Sequence, residues 1–225
     1  MKVELLQNTS LKVTAHAIRT CWQSFEKSDN GGESDLALID RVGNKFKHAS
    51  TLEHLSYTFY LSGISRALLQ ELARHRMASL SVKSTRYTLK ELKDEKESFT
   101  NGMSMLELKE KYINSNEVYN DIHMKRASKY LVFTNILTVD FASVVALENL
   151  RLILQDSIAN DMAKFCLPES YKTELTWTIN ARSLQNFISL RTSKSALWEI
   201  RDLANMIYAN IPEEHKYLFK ECLDR

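Results

Sequence analysis

An alternating stretch between Leu55 and Leu61 is the feature that most constrains how this chain can fold. Apolar side chains take every second position, with Leu55, Tyr57, Phe59 and Leu61 on one face and Ser56, Thr58 and Tyr60 on the other. A period of two is typical of a strand that is buried on one side. Shorter strands are predicted at residues 3–6 and 174–179. The chain is therefore expected to contain a β-sheet.

Helical periodicity surrounds these strands. Apolar residues recur at three- and four-residue spacing in residues 15–25, 34–42, 64–72, 144–154, 184–191 and 196–207. A further buried helix is predicted at residues 129–136 and a mostly polar one at 103–119. Five Gly and two Pro in 225 residues also favour helices with short connections. No domain boundary is evident, and the charged segment 90–101 is the place where variable structure is most expected.

Two stretches of the chain contain no acidic residue. Residues 72–90 and 175–197 lack Asp and Glu, although the chain has 28 acids and a net charge of only +2. Arginine, hydroxyl and amide side chains are concentrated in both stretches. Several converging arginines can hold a phosphate through charge-assisted hydrogen bonds of about 1.5–3 kcal/mol each. The sequence therefore predicts a composite pocket for a nucleotide or another phosphorylated ligand.

Several other classes of protein are disfavoured. The glycine patterns of dinucleotide-binding folds and P-loops are missing, and the near-zero net charge argues against a general nucleic-acid binder. Cys21, Cys166 and Cys222 are too widely spaced for a disulfide framework or a zinc site. No signal peptide or membrane-spanning stretch is evident at the sequence level. A cytoplasmic protein without membrane or nucleic-acid partners is expected.

The basic segment also carries a specific pattern. Arg74-His75-Arg76, followed by Ser79, Ser84 and Arg86-Tyr87, resembles the signature R-H-R-x-x-S-x-x-x-x-S-x-R-Y of the flavin-dependent thymidylate synthases. Further segments occur in the order seen in that family: His48-Ala-Ser50-Thr-Leu-Glu53-His54, Leu167-Pro168, Asn180-Ala-Arg182-Ser-Leu-x-Asn186-Phe, Leu190-Arg191 and Trp198-Glu199. The resemblance extends over about residues 20–205.

The resemblance implies an activity, a fold and an assembly. The activity is the reductive methylation of dUMP to dTMP, with methylenetetrahydrofolate as carbon donor and NADPH reducing a bound FAD. The fold is of the α+β class, a helix-rich single catalytic domain around a mixed sheet that spans residues 1–225. The assembly is a homotetramer with each FAD held between subunits. No cysteine nucleophile is used, and the three cysteines are expected to be small buried apolar residues.

The resemblance also assigns roles to individual residues. Arg191 is the expected catalytic side chain, because its fixed charge can stabilise negative charge that develops on the pyrimidine. The implied FAD-binding residues are Ser50, Glu53, Arg74, His75, Arg76, Val82, Asn180, Arg182 and Asn186, with Ser50 and Glu53 supplied by a neighbouring subunit. The implied dUMP-binding residues are Glu71, Arg74, Val82, Lys83, Ser84, Thr85, Arg86, Lys164 and Arg191.

Some residues allow other interpretations or depart from the family pattern. Ser84 could suggest a nucleophile, and His48 with Glu53-His54 a metal site, but neither has suitably spaced partners. A phosphate or base contact for Ser84 and local hydrogen bonds or a flavin contact for the others are favoured, and no metal is expected. Glu71 stands where the family often has Gln, with Gln70 one position earlier, so the sequence leaves open which of the two contacts the base. A carboxylate at position 71 would repel a phosphate or pair with an arginine. Lys164 stands where relatives often have Arg.

Two further hypotheses remain open at the level of sequence. A nucleotide- or RNA-binding module without catalysis would also use the basic residues 74–90, with Tyr87 stacking on a base. A helical assembly protein would use the same arginines in subunit contacts. Both differ from the enzyme hypothesis in predicting a protein without bound flavin.

Overall fold

A computed structural model describes residues 1–113, 115 and 117–223 of the chain. The strands among these residues are β1 (Lys2–Asn8), β2 (Ser56–Ser65), β3 (Ala78–Val82) and β4 (Lys172–Asn180). They form one sheet in the order β1-β2-β4-β3, and β1 runs antiparallel to β2. The predicted alternation in β2 is confirmed, because Leu55, Tyr57, Phe59 and Leu61 are all fully buried. The strands predicted at 3–6 and 174–179 are confirmed as parts of β1 and β4.

Helices make up most of the remaining regular structure. They are α1 (Leu11–Trp22), α2 (Glu33–Ile39), α3 (Arg66–Ala73), α4 (Thr85–Thr88), α5 (Lys90–Lys93), α6 (Met105–Tyr112), α7 (Ile122–Ala127), α8 (Leu137–Gln155), α9 (Asn160–Ala163), α10 (Ala181–Arg191) and α11 (Trp198–Ala209). A π-helix spans Asp40–Lys45, and 3-10 helices span Phe25–Lys27, Ala49–His54, Val118–Asn120, Lys164–Cys166, Glu213–Leu218 and Lys220–Cys222. The predicted α+β class is confirmed. No helix within the described residues combines the length and the apolar composition needed to cross a lipid bilayer.

The chain divides into two compact units, and the first consists of residues 1–62, 70–81 and 175–223. Its core is aromatic: the Phe59 and Trp177 rings are 6.3 Å apart, and the Trp177 and Phe187 rings are 5.0 Å apart. All three side chains are fully buried. Helix α10 packs beside the 3-10 helix Ala49–His54 and beside α11.

The second unit consists of residues 63–69 and 82–174 and has a core around α8. Within it, a buried ion pair joins Arg151 to Glu148 at 2.7 Å. Glu148 also accepts hydrogen bonds from the Ser98 hydroxyl and the Phe99 N–H, and Arg151 donates to the Glu95 carbonyl. The charged segment 90–101 is thus attached to α8 through its main chain. Within it, α5 exposes its charged residues and buries Leu92.

Three secondary-structure predictions need correction. Residues 129–136 do not form the predicted helix: residues 129 and 130 belong to a turn, Leu131 makes an antiparallel bridge to Tyr171, and Val132 N–H donates to the Ser170 carbonyl. The stretch after Arg76, predicted to be irregular, contains β3, because the sheet supplies hydrogen-bond partners that sequence does not show. The polar helix at 103–119 is shorter, and its positions 114 and 116 lie outside the described residues.

Candidate functional site

The connection between α3 and β3 presents the first basic segment. Helix α3 ends at Ala73, and its last carbonyls are capped by the chain that follows: Arg74 N–H donates to the Glu71 carbonyl at 3.4 Å and His75 N–H to the Leu72 carbonyl at 3.0 Å. Residues 74–77 then lead directly into the edge strand β3. The Arg74 side chain is 72% exposed. Loops held between rigid elements are suited to binding, because their ends fix where the side chains project.

The start of α10 presents the second basic segment. Strand β4 passes into α10 at Asn180, whose side-chain oxygen accepts a hydrogen bond from Ser183 N–H at 2.9 Å and caps the helix. The apolar stripe of α10 is buried, which leaves Arg182 and Asn186, one turn apart, on the exposed side. Arg191 lies in the last turn. The predicted helix end near Arg191 is confirmed.

The two segments line one cleft of about 670 Å³ in the first unit. The predicted site residues in its lining are Glu53, Arg74, His75, Arg76, Asn180, Arg182, Asn186 and Arg191. A composite pocket requires Arg76, Arg182 and Arg191 to lie in one cleft, and all three line this one. Glu53, which the resemblance assigns to a neighbouring subunit, lines this cleft together with seven predicted residues of its own chain.

Three lining residues were not predicted as part of a site. Met77 is 71% exposed and Ser183 lies one residue after Arg182. Leu190 belongs to the predicted apolar pattern of α10 but is not buried with it, because its side chain is 56% exposed and lines the cleft. Leu190 follows Asn186 by four residues, so the helical period could have placed both on the cleft side.

Arg191 is held by two residues of the α3 end. Its Nε donates to His75 Nε2 at 3.0 Å, and its Nη1 donates to Glu71 Oε2 at 2.9 Å. Its Nη2 lies 3.4 Å from the Glu71 carbonyl oxygen. The Arg191 side chain is only 16% exposed. Two roles are expected for a carboxylate at position 71: repelling a phosphate or pairing with an arginine. In this structure Glu71 pairs with Arg191.

His75 is neutral in this arrangement. Burial and, to a smaller extent, the positive charges of Arg191 and Arg74 together lower its pKa to about 4, against the opposing effect of the Glu71 carboxylate. A neutral ring with an unprotonated Nε2 can accept the Arg191 hydrogen bond, whereas a protonated ring cannot. The ring also packs edge-on against Phe187, with centroids 4.9 Å apart. Neutral His75 therefore fixes the guanidinium orientation.

We expect this histidine to titrate far below the usual range. An ordinary histidine titrates near pH 6.5, whereas the His75 ring signal in an NMR titration should move near pH 4. Because the folded-state pKa is depressed, the stability that depends on neutral His75 is present above pH 6.5 and is lost as the pH falls towards 4. The variant His75→Gln lacks this ring signal, so a comparison of its spectrum with that of the wild type assigns the resonance. A midpoint near pH 6.5 would contradict the arrangement.

A second groove lies beside the cleft and shares Arg182 with it. The groove measures about 420 Å³ and is lined by His48 and Ser50 among others. Arg182 Nη1 lies 2.7 Å from Glu53 Oε1, and both side chains are about half exposed. Ser50 is thus placed next to Arg182, although it does not line the cleft itself. The groove and the cleft together contain the predicted FAD-binding residues of the first unit.

The other predicted substrate residues lie in the second unit. Val82 ends β3, Ser84 stands at the N-cap position of α4, and Lys83 Nζ lies 3.2 Å from a Glu174 carboxylate oxygen. Lys83 and Thr85 line a small cavity of about 70 Å³. The segment predicted as a substrate loop is thus a strand end followed by one helical turn.

Arg86 and Lys164 are also on the second unit. Arg86 Nε lies 3.2 Å from Asp161 Oδ2, and its carbonyl accepts a hydrogen bond from the Asn160 side chain. Lys164 is exposed and follows α9 directly. Arg86 lies on α4, which packs against α9, and Lys164 begins the 3-10 helix that follows α9. Both cations remain accessible to an anion.

The cysteines were expected to be buried, and two are not. Cys21 and Cys166 are exposed, while Cys222 is buried. Among the described residues that line the cleft there is no cysteine. The prediction that all three serve as small core residues is therefore wrong for Cys21 and Cys166.

Comparisons with known proteins extend over the whole chain. The profile of the family described as "Thymidylate synthase complementing protein" matches residues 4–215. Proteins named flavin-dependent thymidylate synthase from Wolinella succinogenes and Campylobacter jejuni are 63% and 62% identical over 225 residues, covering 100% of this chain and 99% of each relative. A crystal structure of thymidylate synthase X from Helicobacter pylori with FAD and dUMP superposes with a TM-score of 0.86 at 52% identity, covering 100% of both chains.

Proposed function

The chain belongs to the family of flavin-dependent thymidylate synthases, and from this premise we propose that it converts dUMP to dTMP by reductive methylation. Methylenetetrahydrofolate is the proposed carbon donor and NADPH the proposed reductant of FAD. One observation carries the proposal: arginine and amide side chains from two distant segments line a single cleft. A nucleotide with a readable base needs such a combination of cationic and amide donors.

Arg191 is the proposed catalytic residue. Its guanidinium is fixed by His75 and Glu71 and uses an N–H on each of its three nitrogens in doing so. Of its five N–H groups, two are left for a ligand. A pre-oriented cation beside the pyrimidine stabilises negative charge that develops on the ring and makes C6 more electrophilic. This role requires no nucleophile from the protein, and no cysteine is proposed to act as one.

The donors around the cleft suit a flavin dinucleotide. Exposed guanidinium groups of Arg76 and Arg182 can bind a pyrophosphate, and the N–H groups of Asn180 remain for a ring carbonyl while its oxygen caps α10. FAD supplies a hydride to the pyrimidine when it is bound and reduced. The proposed FAD-binding residues are Ser50, Glu53, Arg74, His75, Arg76, Val82, Asn180, Arg182 and Asn186.

The proposed dUMP-binding residues occur in both units. In the first unit they are Glu71, Arg74 and Arg191, and in the second they are Val82, Lys83, Ser84, Thr85, Arg86 and Lys164. Arg86 and Ser84 offer a guanidinium and a hydroxyl for a phosphate, while Lys164 contributes a point charge. No metal ion is part of the proposal.

The assembly and location are also proposed. Residues 1–225 are taken as a single catalytic domain that forms a homotetramer, with FAD at the subunit interfaces. A cytoplasmic location is supported by the exposed Cys21 and Cys166, since a reducing compartment keeps such thiols reduced. Neither nucleic acid nor membrane is a proposed partner.

Turnover by the purified chain tests the proposal. With FAD, NADPH, methylenetetrahydrofolate and dUMP we expect dTMP, detected by chromatography, from a preparation whose visible spectrum shows flavin bands. Omitting NADPH, methylenetetrahydrofolate or dUMP in turn should abolish the product. A folded, yellow protein that forms no dTMP would refute the proposed enzymatic activity.

Two other outcomes would favour the alternative hypotheses. A colourless protein that binds oligonucleotides with a steep salt dependence would indicate a binding module. A melting temperature that FAD and dUMP leave unchanged would indicate an assembly protein, since specific ligands stabilise the folded state by mass action.

A further inference from the structure

Glu71 holds Arg191 through two different atoms. The carboxylate oxygen Oε2 accepts from Nη1 at 2.9 Å, and the main-chain carbonyl lies 3.4 Å from Nη2. Because Glu71 lies in the last turn of α3, its main chain is fixed by the helix. His75 completes the arrangement by accepting from Nε at 3.0 Å. Contacts to the α3 end therefore set the guanidinium plane.

The same carboxylate changes the charge of the cleft. Glu71 Oε1 lies 3.5 Å from Arg74 Nη1, so one negative charge faces two arginines that the proposed substrate also needs. The Glu71 side chain is 30% exposed, which places the pair at the border of solvent. An attraction between charges at this distance is weakened but not removed by water. An anionic nucleotide that approaches Arg74 and Arg191 therefore also meets the negative charge of Glu71.

We propose that Glu71 is a positioning residue with two separable effects, an inference that rests on the proposed function. Its hydrogen-bonding oxygen holds Arg191 in the orientation that turnover requires. Its negative charge repels the phosphate of dUMP and so lowers the net affinity, although Glu71 is also among the proposed dUMP contacts. Glu71 thus favours turnover by orienting the Arg191 guanidinium, and at the same time it lowers the affinity for dUMP.

Three substitutions separate the two effects. Glu71→Gln keeps an oxygen acceptor of the same reach and removes the charge. Glu71→Ala removes both the acceptor and the charge, whereas Glu71→Asp keeps the charge and shortens the reach by one methylene. Glu4→Gln is a matched control, because Glu4 is an exposed carboxylate on β1 that pairs with Lys2 at 3.0 Å, away from the cleft lining.

Binding and turnover are measured on the full-length flavin-loaded protein. By calorimetry, Glu71→Gln and Glu71→Ala should both bind dUMP about fivefold more tightly, which corresponds to ~1 kcal/mol, and Glu71→Asp should not. The kcat of Glu71→Ala and Glu71→Asp should fall by about tenfold or more, because a misplaced catalytic group costs rate, while Glu71→Gln keeps most of it. The control should match the wild type in both measurements.

The outcomes distinguish this inference from the proposed function. If wild-type protein forms no dTMP, the proposed function fails, and the dUMP affinities still test the charge effect. If wild-type protein turns over but Glu71→Gln loses as much kcat as Glu71→Ala, the positioning role is overturned. If Glu71→Gln binds dUMP no more tightly than wild type, the competing charge is overturned. Equal melting temperatures and flavin spectra show that each variant is folded and loaded.

Discussion

Arg191→Ala is expected to lower kcat/KM for dTMP formation by about 100- to 1,000-fold, the size of effect seen when one pre-oriented donor to a developing charge is removed. The guanidinium contributes in two ways, since its charge stabilises the electron-rich pyrimidine and its fixed plane directs its remaining N–H groups. Alanine removes both. The effect should appear mainly in kcat, because the interaction strengthens as charge develops on the ring.

The fold should survive this substitution. Arg191 lies in the last turn of α10, and no apolar core residue of that helix depends on it. Its partner Glu71 is 30% exposed, so water can solvate the released carboxylate. With one positive charge removed, the pKa of His75 should rise from about 4 towards its ordinary value. Circular dichroism, the melting temperature and the flavin spectrum check these points.

Two controls make the measurement specific. Arg191→Lys keeps the charge but cannot donate to His75 and Glu71 in one plane, so an intermediate rate is expected. Arg201→Ala removes an arginine of α11 that donates to the Lys194 carbonyl and does not line the cleft, and it should leave the rate unchanged. Wild-type kcat/KM in Arg191→Ala would show that another group contacts the ring.

The predictable parts of the fold are those with a local signal. The alternation in β2 and the helical stripes of α8 and α10 arise because one side of each element is buried, and a buried side repeats with the period of the element. Residues 129–136 lack such a signal. Leu131 is buried in this irregular connection, and its partner Tyr171 lies about forty residues away in the chain.

The same distinction applies to the site. The arginine pattern identifies Arg74, Arg182 and Arg191 because charge and spacing are visible in the sequence, and the structure places them in one cleft. Sequence does not show which acid pairs with which arginine. Glu71 and Arg191 are 120 positions apart, and only the packing of α10 beside the α3 end brings them together. Strand β3 escaped prediction for the same reason, since its pairing partner β4 is distant in sequence.

A buried ion pair near the N-terminus likewise has no recognisable pattern in the sequence. Arg19 on α1 and Asp35 on α2 are 5% and 2% exposed, and Arg19 Nη2 lies 2.6 Å from Asp35 Oδ1. Asp35 also accepts hydrogen bonds from the Ser28 hydroxyl at 2.8 Å and from Gly31 N–H at 2.9 Å. Burial alone raises the pKa of Asp35, but these hydrogen bonds and the Arg19 charge bring it below its ordinary value.

We expect Asp35→Ala to destabilise the first unit by about 3–5 kcal/mol, the cost of leaving the Arg19 charge buried without its partner. Chemical denaturation followed by Trp fluorescence measures the loss. Lys2→Ala, which breaks the exposed pair with Glu4, should cost less than ~1 kcal/mol. The double variant Arg19→Met with Asp35→Leu should recover much of the stability, because no charge is then left buried. Equal losses for Asp35→Ala and Lys2→Ala would show that the buried pair contributes no more than a surface one.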